Sequence, residues 1–155
     1  MGVKLVRIMG LDMYLVQKHW ISGEIRKKLG KIDVKKLDLP FEFDKVEEVT
    51  EEVATWRKAN AIHKWFVDNV QDGEDDTSKT SLVRIEQIEE LLDLVNEVLK
   101  WQDRAEELLP VQVGFFFGGT EYDDWYFDNL KYTKGVFEKI LADGKSGDLY
   151  YSSSW

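Results

Sequence analysis

The residues with the widest chemical reach crowd into one segment. Between Trp56 and Gly73 the chain carries two Trp, one His, two Asn and three cations. His63 stands out because an unperturbed imidazole titrates near pH ~6.5 and can take or give a proton at neutral pH. A general base also needs a reacting group in reach and, as a rule, a carboxylate to orient it. No serine or threonine nucleophile pattern lies beside His63. A His-dependent hydrolase of a nucleotide or related ester would have to recruit Asp68, Asp123 or Asp124 from other places. The plainer reading is a histidine hydrogen-bonded in or beside the core, so no catalytic set is assigned. Arg57, Lys58, Asn60, His63 and Lys64 are instead read as donors for an anionic ligand, with Asn69 a further polar candidate and Trp56, Trp65, Phe116 and Tyr122 as stacking walls.

A second chemistry-bearing stretch is Gly114-Phe115-Phe116-Phe117-Gly118-Gly119-Thr120. It is no Walker loop, because no Lys-Ser/Thr follows. Backbone N–H groups around Gly118 to Thr120 can still meet an anion at a helix start. Three successive Phe cannot share one side of a strand. At least one ring therefore points outward and, with Trp125, Tyr122 and Tyr126, offers a stacking surface for a base; a second hydrophobic layer under the following helix is the competing reading. Two of Glu121, Asp123 and Asp124 could make a hydrolase pair, but carboxylates in a first helical turn are more simply explained by the helix macrodipole.

Metal and cofactor chemistry find little support. The second histidine, His19, falls on an expected strand, and no His-Glu-x-x-His spacing exists. Asp72-Gly73-Glu74-Asp75-Asp76 has a calcium-like composition without the EF-hand order of ligands. There are no cysteines, so thiolate and disulfide chemistry are excluded. We assign no metal and no cofactor.

The elements that must position these groups follow from periodicity. Leu11 to Trp20 alternates as a strand, which Val3 to Ile8 could extend; residues 1–8 also read as a dispensable N-terminal extension. Residues 22–40 form a basic, turn-rich insertion, with a short strand expected within Ile32 to Leu39. Phe41 to Val53 is ambiguous between loop and weak helix. A helix is expected from Thr55 to Val70, capped by Thr55 or Thr50, followed by an acidic loop and a brief strand at Leu82-Val83. The stripe Ile85, Ile88, Leu91, Leu92, Val95, Leu99 predicts a helix over Ile85 to Trp101. Val111 to Phe117 reads as a buried strand, Thr120 as the cap of a third helix to Ala142, and Leu149-Tyr150-Tyr151 as an edge strand. The expected fold class is a single α+β domain over residues 1–155, about three helices packed on a small, mainly antiparallel sheet.

Composition narrows the partners. The chain has 155 residues, 43% apolar and 33% charged, and six Trp, eight Phe and six Tyr promise an aromatic core. The net charge of −9 is uneven, with nine Lys/Arg against three Asp/Glu in residues 1–36 and twelve against twenty-seven beyond. An acidic whole argues against duplex DNA, whose binding is driven by phosphate neutralisation. No apolar run has the ~18 residues of a membrane span, and the first residues match neither a signal peptide nor a myristoylation pattern. A cytoplasmic protein is expected, and the many aromatics are compatible with a homo-oligomer.

Two motifs taken together, Trp56-Arg57-Lys58-Ala59-Asn60-x-Ile62-His63-x-Trp65-Phe66-Val67-x-Asn69-Val70-Gln71-x-Gly73 and Gly114-Phe115-Phe116-Phe117-Gly118-x-Thr120-Glu121-Tyr122-Asp123, resemble a family of small, mostly uncharacterised bacteriophage and prophage proteins. Such proteins typically open with Gly-Leu-Asp-Met-Tyr-Leu, as Gly10 to Leu15 does here. The resemblance spans roughly residues 9–142. It departs at Thr77-Ser78, where the family often has a cysteine. It carries no activity. What it implies is context: an accessory, counter-defence factor in the cytoplasm of an infected bacterial host. Such a factor would sequester a small nucleotide-like ligand through Trp56, Arg57, Asn60, His63, Lys64, Asn69, Phe116, Gly118, Thr120 and Tyr122, or would inhibit a host defence protein through an acidic surface.

Overall fold

The computed structural model describes residues 10–31, 33, 36, 38–144 and 147–155. Residues 1–9, and with them the strand extension at Val3 to Ile8, lie outside the described residues, as does much of the strand expected in Ile32 to Leu39. Four antiparallel strands, β1 (Asp12–Trp20), β2 (Glu48–Arg57), β3 (Ser81–Val83) and β4 (Asp148–Ser154), pair in the order β2-β1-β4-β3. Five α-helices occupy the described residues: α1 (Gly23–Leu29), α2 (Asn60–Val70), α3 (Ile85–Lys100), α4 (Ala105–Leu108) and α5 (Asp124–Asp143). The α+β class stands, with the helix count raised from three to five by the short α1 and α4.

β1 alternates as its sequence demands. Met13 and Leu15 are buried on one face, while Tyr14 and Val16 on the other stay partly exposed. Across the buried face lie Ala54, Trp56, Leu149 and Tyr151, and α2, α3 and α5 supply the opposing layer through Ile62, Phe66, Leu91, Val95, Leu130 and Phe137. Tyr151 stacks flat on Phe66 with ring centroids 4.0 Å apart, joining α2 to the sheet. β4 pairs with both β1 and β3, so it is an interior strand rather than the expected edge.

Further expectations are corrected. First, Thr55, Trp56 and Arg57 are strand, not helix: β2 runs through them and Trp56 pairs with Met13. The β-branched residues Val49, Thr50, Val53 and Thr55 favour this over the helix. Neither Thr50 nor Thr55 caps α2, which starts after Lys58 and Ala59. Second, Val111 to Phe117 contains no strand; Val113 is 81% and Phe115 95% exposed, while Phe117 is buried. Third, Asp123 rather than Thr120 caps α5, its carboxylate accepting the Tyr126 N–H at 3.1 Å. Within the basic insertion a turn of helix replaces the expected loop: α1 is capped by Ser22 and buries no residue.

Candidate functional site

Two helix N-termini meet at one cavity of about 200 Å³. From α2 come Asn60, Ala61 and Ile62, preceded by Lys58 and Ala59. From α5 and its approach come Glu121, Asp123, Trp125, Tyr126, Asn129 and Leu130, and Val111 and Gly119 complete the wall.

The start of α2 is unusual for its burial. Its cap position is Ala59, no side chain caps it, and no acid lies in its first turn. The helical ladder begins with the His63 N–H donating to the Ala59 carbonyl at 3.0 Å. The N–H groups of Asn60, Ala61 and Ile62 therefore lie ahead of the ladder, on residues no more than 5% exposed. This end carries the positive pole of the helix, and its first residues line the cavity.

Lys58 adds a full charge. Its backbone holds a left-handed φ of 56°, which turns the chain from β2 into α2, and its N–H donates to the Leu11 carbonyl at 2.7 Å. Its aliphatic stem passes between two glycines. A Cβ on Gly118 would come within 3.0 Å of the Lys58 Cβ, and one on Gly10 within 3.2 Å of its Cε. Gly118 itself has φ +86°, a second reason for glycine there. Gly118 thus shapes the site by leaving room for Lys58.

Asn60 holds the facing wall. Its side-chain NH₂ donates to the carbonyls of Phe117 at 3.0 Å and Gly119 at 2.9 Å, and its Oδ1 accepts the Gln112 N–H at 3.0 Å. These bonds satisfy backbone groups that a strand ladder would otherwise need, which is why the apolar run from Val111 to Phe117 is stable without one. The Tyr122 hydroxyl accepts the Val111 N–H at 3.3 Å and fastens the other end.

His63 belongs to a different cluster. It is wholly buried, with Nδ1 2.7 Å from the Tyr151 hydroxyl and Nε2 3.0 Å from an Asp75 carboxylate oxygen. The Trp155 indole N–H donates to the other Asp75 oxygen at 3.3 Å, and Phe117 packs edge-on against both His63 and Trp155. Burial, then the nearby Asp75 charge, push the Tyr151 phenol well above its ordinary pKa. With both ring nitrogens engaged inside the protein, His63 ties α2 to β4 and to the acidic loop.

The remaining expected site residues scatter. Trp56 is buried and its indole N–H donates to Thr133 at 2.9 Å. Arg57 lies on the exposed end of β2, 3.9 Å from Asp12. Lys64 pairs with Asp68 at 2.5 Å, and the Asn69 amide donates back to the Trp65 carbonyl. Phe116 is half-buried beside the exposed Phe115, and Thr120 is exposed. The structure therefore lines the cavity with Lys58, Asn60, Gly119 and Trp125, and leaves Trp56, Arg57, His63, Lys64, Asn69, Phe116, Gly118, Thr120 and Tyr122 outside the lining. Sequence reasoning missed Asn129 and Val111 as wall residues and read Glu121 and Asp123 as helix-start acids or members of a carboxylate pair. The i, i+4 spacing of Trp125 and Asn129 on α5 was the available signal.

The acidic loop is occupied by its own contacts. Asp76 accepts from the Ser78 hydroxyl and N–H, which with Lys79 lower its pKa, and Glu74 pairs with Lys79 at 2.9 Å. No helix among the described residues is long and apolar enough to cross a membrane. The chain matches no protein-family model, no curated protein and no solved structure.

Proposed function

We propose that this protein is a binding protein that sequesters a small anionic, nucleotide-like ligand at the cavity between α2 and α5. The observation that carries this is the buried, uncapped first turn of α2 opening beside Lys58. A cap or an acid there would be stabilising and is absent, so an anion supplied from outside meets donors already aimed at it. The volume of about 200 Å³ falls below the ~300–1,000 Å³ of drug-sized sites. The cavity encloses one moiety and leaves the rest of the ligand at the mouth, where Trp125 is 57% exposed and free to stack. Binding without turnover fits the engagement of both His63 nitrogens. The resemblance to phage proteins adds the counter-defence setting, in which removing a host signalling nucleotide from solution is itself the activity.

The test is to incubate the purified protein with a bacterial small-molecule extract, wash, denature, and profile what is released. The proposal expects stoichiometric release of one intact anionic compound, lost in Lys58→Ala. Consumption of a compound with release of products would instead establish an enzyme, and an empty release would remove the sequestration reading. The alternative of a protein–protein inhibitor is favoured by the exposed acids Glu86, Glu89, Glu90 and Asp93 along α3. It expects a stable, salt-sensitive complex with one host protein that charge reversal at these positions abolishes.

A further inference from the structure

We infer that the protein forms a two-fold dimer in which the arm between β1 and β2 of each copy docks on α3 of the other. This is independent of the cavity between α2 and α5, so the two readings fail separately. The arm is held in shape by its own bonds. Ser22 caps α1, the Arg26 guanidinium donates to the carbonyls of Asp44 and Val46, and the Ile21 N–H donates to the Glu47 carbonyl at 2.9 Å. Yet from Trp20 to Val53 no described residue is buried. Trp20 is 65% and Phe41 54% exposed, with Ile25 and Leu39 also open to solvent. Apolar side chains gathered on an arm that covers none of them mark a surface for a partner.

Charge selects that partner. Residues 23–36 carry six Lys/Arg against two Asp/Glu, and Lys27 and Lys31 have no ion-pair partner among the described residues. The complementary face is on α3. Glu86, Glu89, Glu90 and Asp93 recur there at three- and four-residue spacing, all exposed and none in an ion pair among the described residues. Like charges at that spacing repel one another. One turn on, Glu97 has its cation within the chain, Arg104; the four before it do not. The arm leaves the sheet at the β2–β1 edge, whereas α3 follows β3 at the opposite edge, so the two surfaces of one copy stand apart. The apolar parts match as well. Leu82 and Ile85 are exposed at the start of the acidic face. On the arm, Ile21, Leu29 and Phe43 line a cavity of about 170 Å³, with room for one such side chain. Each copy carries both surfaces, so two contacts about a two-fold axis satisfy both arms and close the assembly. An anionic membrane suits the arm less, because it would repel the acids of a chain of net charge −9.

Sedimentation velocity on the full chain, combined with charge exchange, tests this. The native chain is expected at twice its 18.1 kDa mass at micromolar concentration, moving toward monomer between about 0.05 and about 0.5 M salt. Lys27→Glu with Lys31→Glu, and separately Glu89→Lys with Glu90→Lys, should each weaken the dimer about tenfold or more. Mixing the two double variants should restore a dimer with one copy of each, because acid then faces base at both contacts. That recovery also shows that both variants fold. A native chain that stays monomeric overturns the inference, and its sedimenting with phosphatidylserine–phosphatidylcholine vesicles would give the arm to a membrane instead. A dimer that survives either charge reversal overturns the contact between arm and α3. So do variants that stay apart when mixed while keeping the native far-UV circular dichroism. Species larger than the dimer overturn the two-fold closure.

Discussion

α5 and α2 begin at the same cavity and are finished in opposite ways. At α5, Asp123 accepts the Tyr126 N–H and Asp124 lies in the first turn, so the positive pole meets its own counter-charge. At α2, an alanine takes the cap position and no acid follows. Both helices bury residues against the common core. The difference is therefore not one of exposed against buried helices. One terminus is completed by the chain and the other is held incomplete by Asn60, whose amide faces the 112–119 segment instead of its own helix. The cavity exists because α2 is left open while its surroundings are braced.

The largest expected effect comes from removing that brace. Asn60→Ala leaves three backbone groups without partners and should cost about 3 kcal/mol in urea unfolding, with loss of ligand binding. A cost under about 1 kcal/mol would mean the segment holds itself. Next, alkaline titration should reveal the polar cluster behind α2. The Tyr151 pKa is raised in the fold by burial, so the unfolded chain loses its proton first. Stability is then full below pH ~10 and falls above it, by about 1.4 kcal/mol per pH unit at most, and Tyr151→Phe flattens the slope.

The two caps give the sharpest contrast. Asp123→Ala should destabilise by about 1 kcal/mol, whereas Ala59→Ser should stabilise by a few tenths to about 1 kcal/mol while weakening anion binding. Thermal melts with and without phosphate read both signs. If both substitutions destabilise, Ala59 is there for packing and the asymmetry is not functional. The smallest effect is expected at Lys58→Gly, which relieves a positive φ for a gain of about 0.5 kcal/mol and removes the cavity's lysine. Stability and binding should move in opposite directions, a result a purely structural lysine would not give.

Much of the fold was legible because its signals are local. The 3.6-residue stripe of α3 and the two-residue alternation of β1 stand in the sequence and in the structure alike. β2 was not, since Trp56-Arg57-Lys58 extends a helical pattern smoothly into Asn60 and nothing in the sequence announces the left-handed turn at Lys58. The run Val111 to Phe117 looks like a strand because its apolar content is high, and its release from the sheet depends on Asn60, more than fifty residues away. The partners of His63 are equally non-local, with Tyr151 lying 88 residues on. Little of the candidate site was legible: of the ten residues expected to hold a ligand only Asn60 lines the cavity, and Lys58, Gly119 and Trp125 join it through contacts that required the fold.

Amide-resolved NMR during a titration with a nucleoside monophosphate probes the open end of α2 directly. The expected result is saturable downfield shifts at the amides of Asn60, Ala61 and Ile62, with the capped amide of Tyr126 moving far less. Shifts confined to other surfaces, or no shift at the α2 amides at millimolar ligand, would contradict an anion site there.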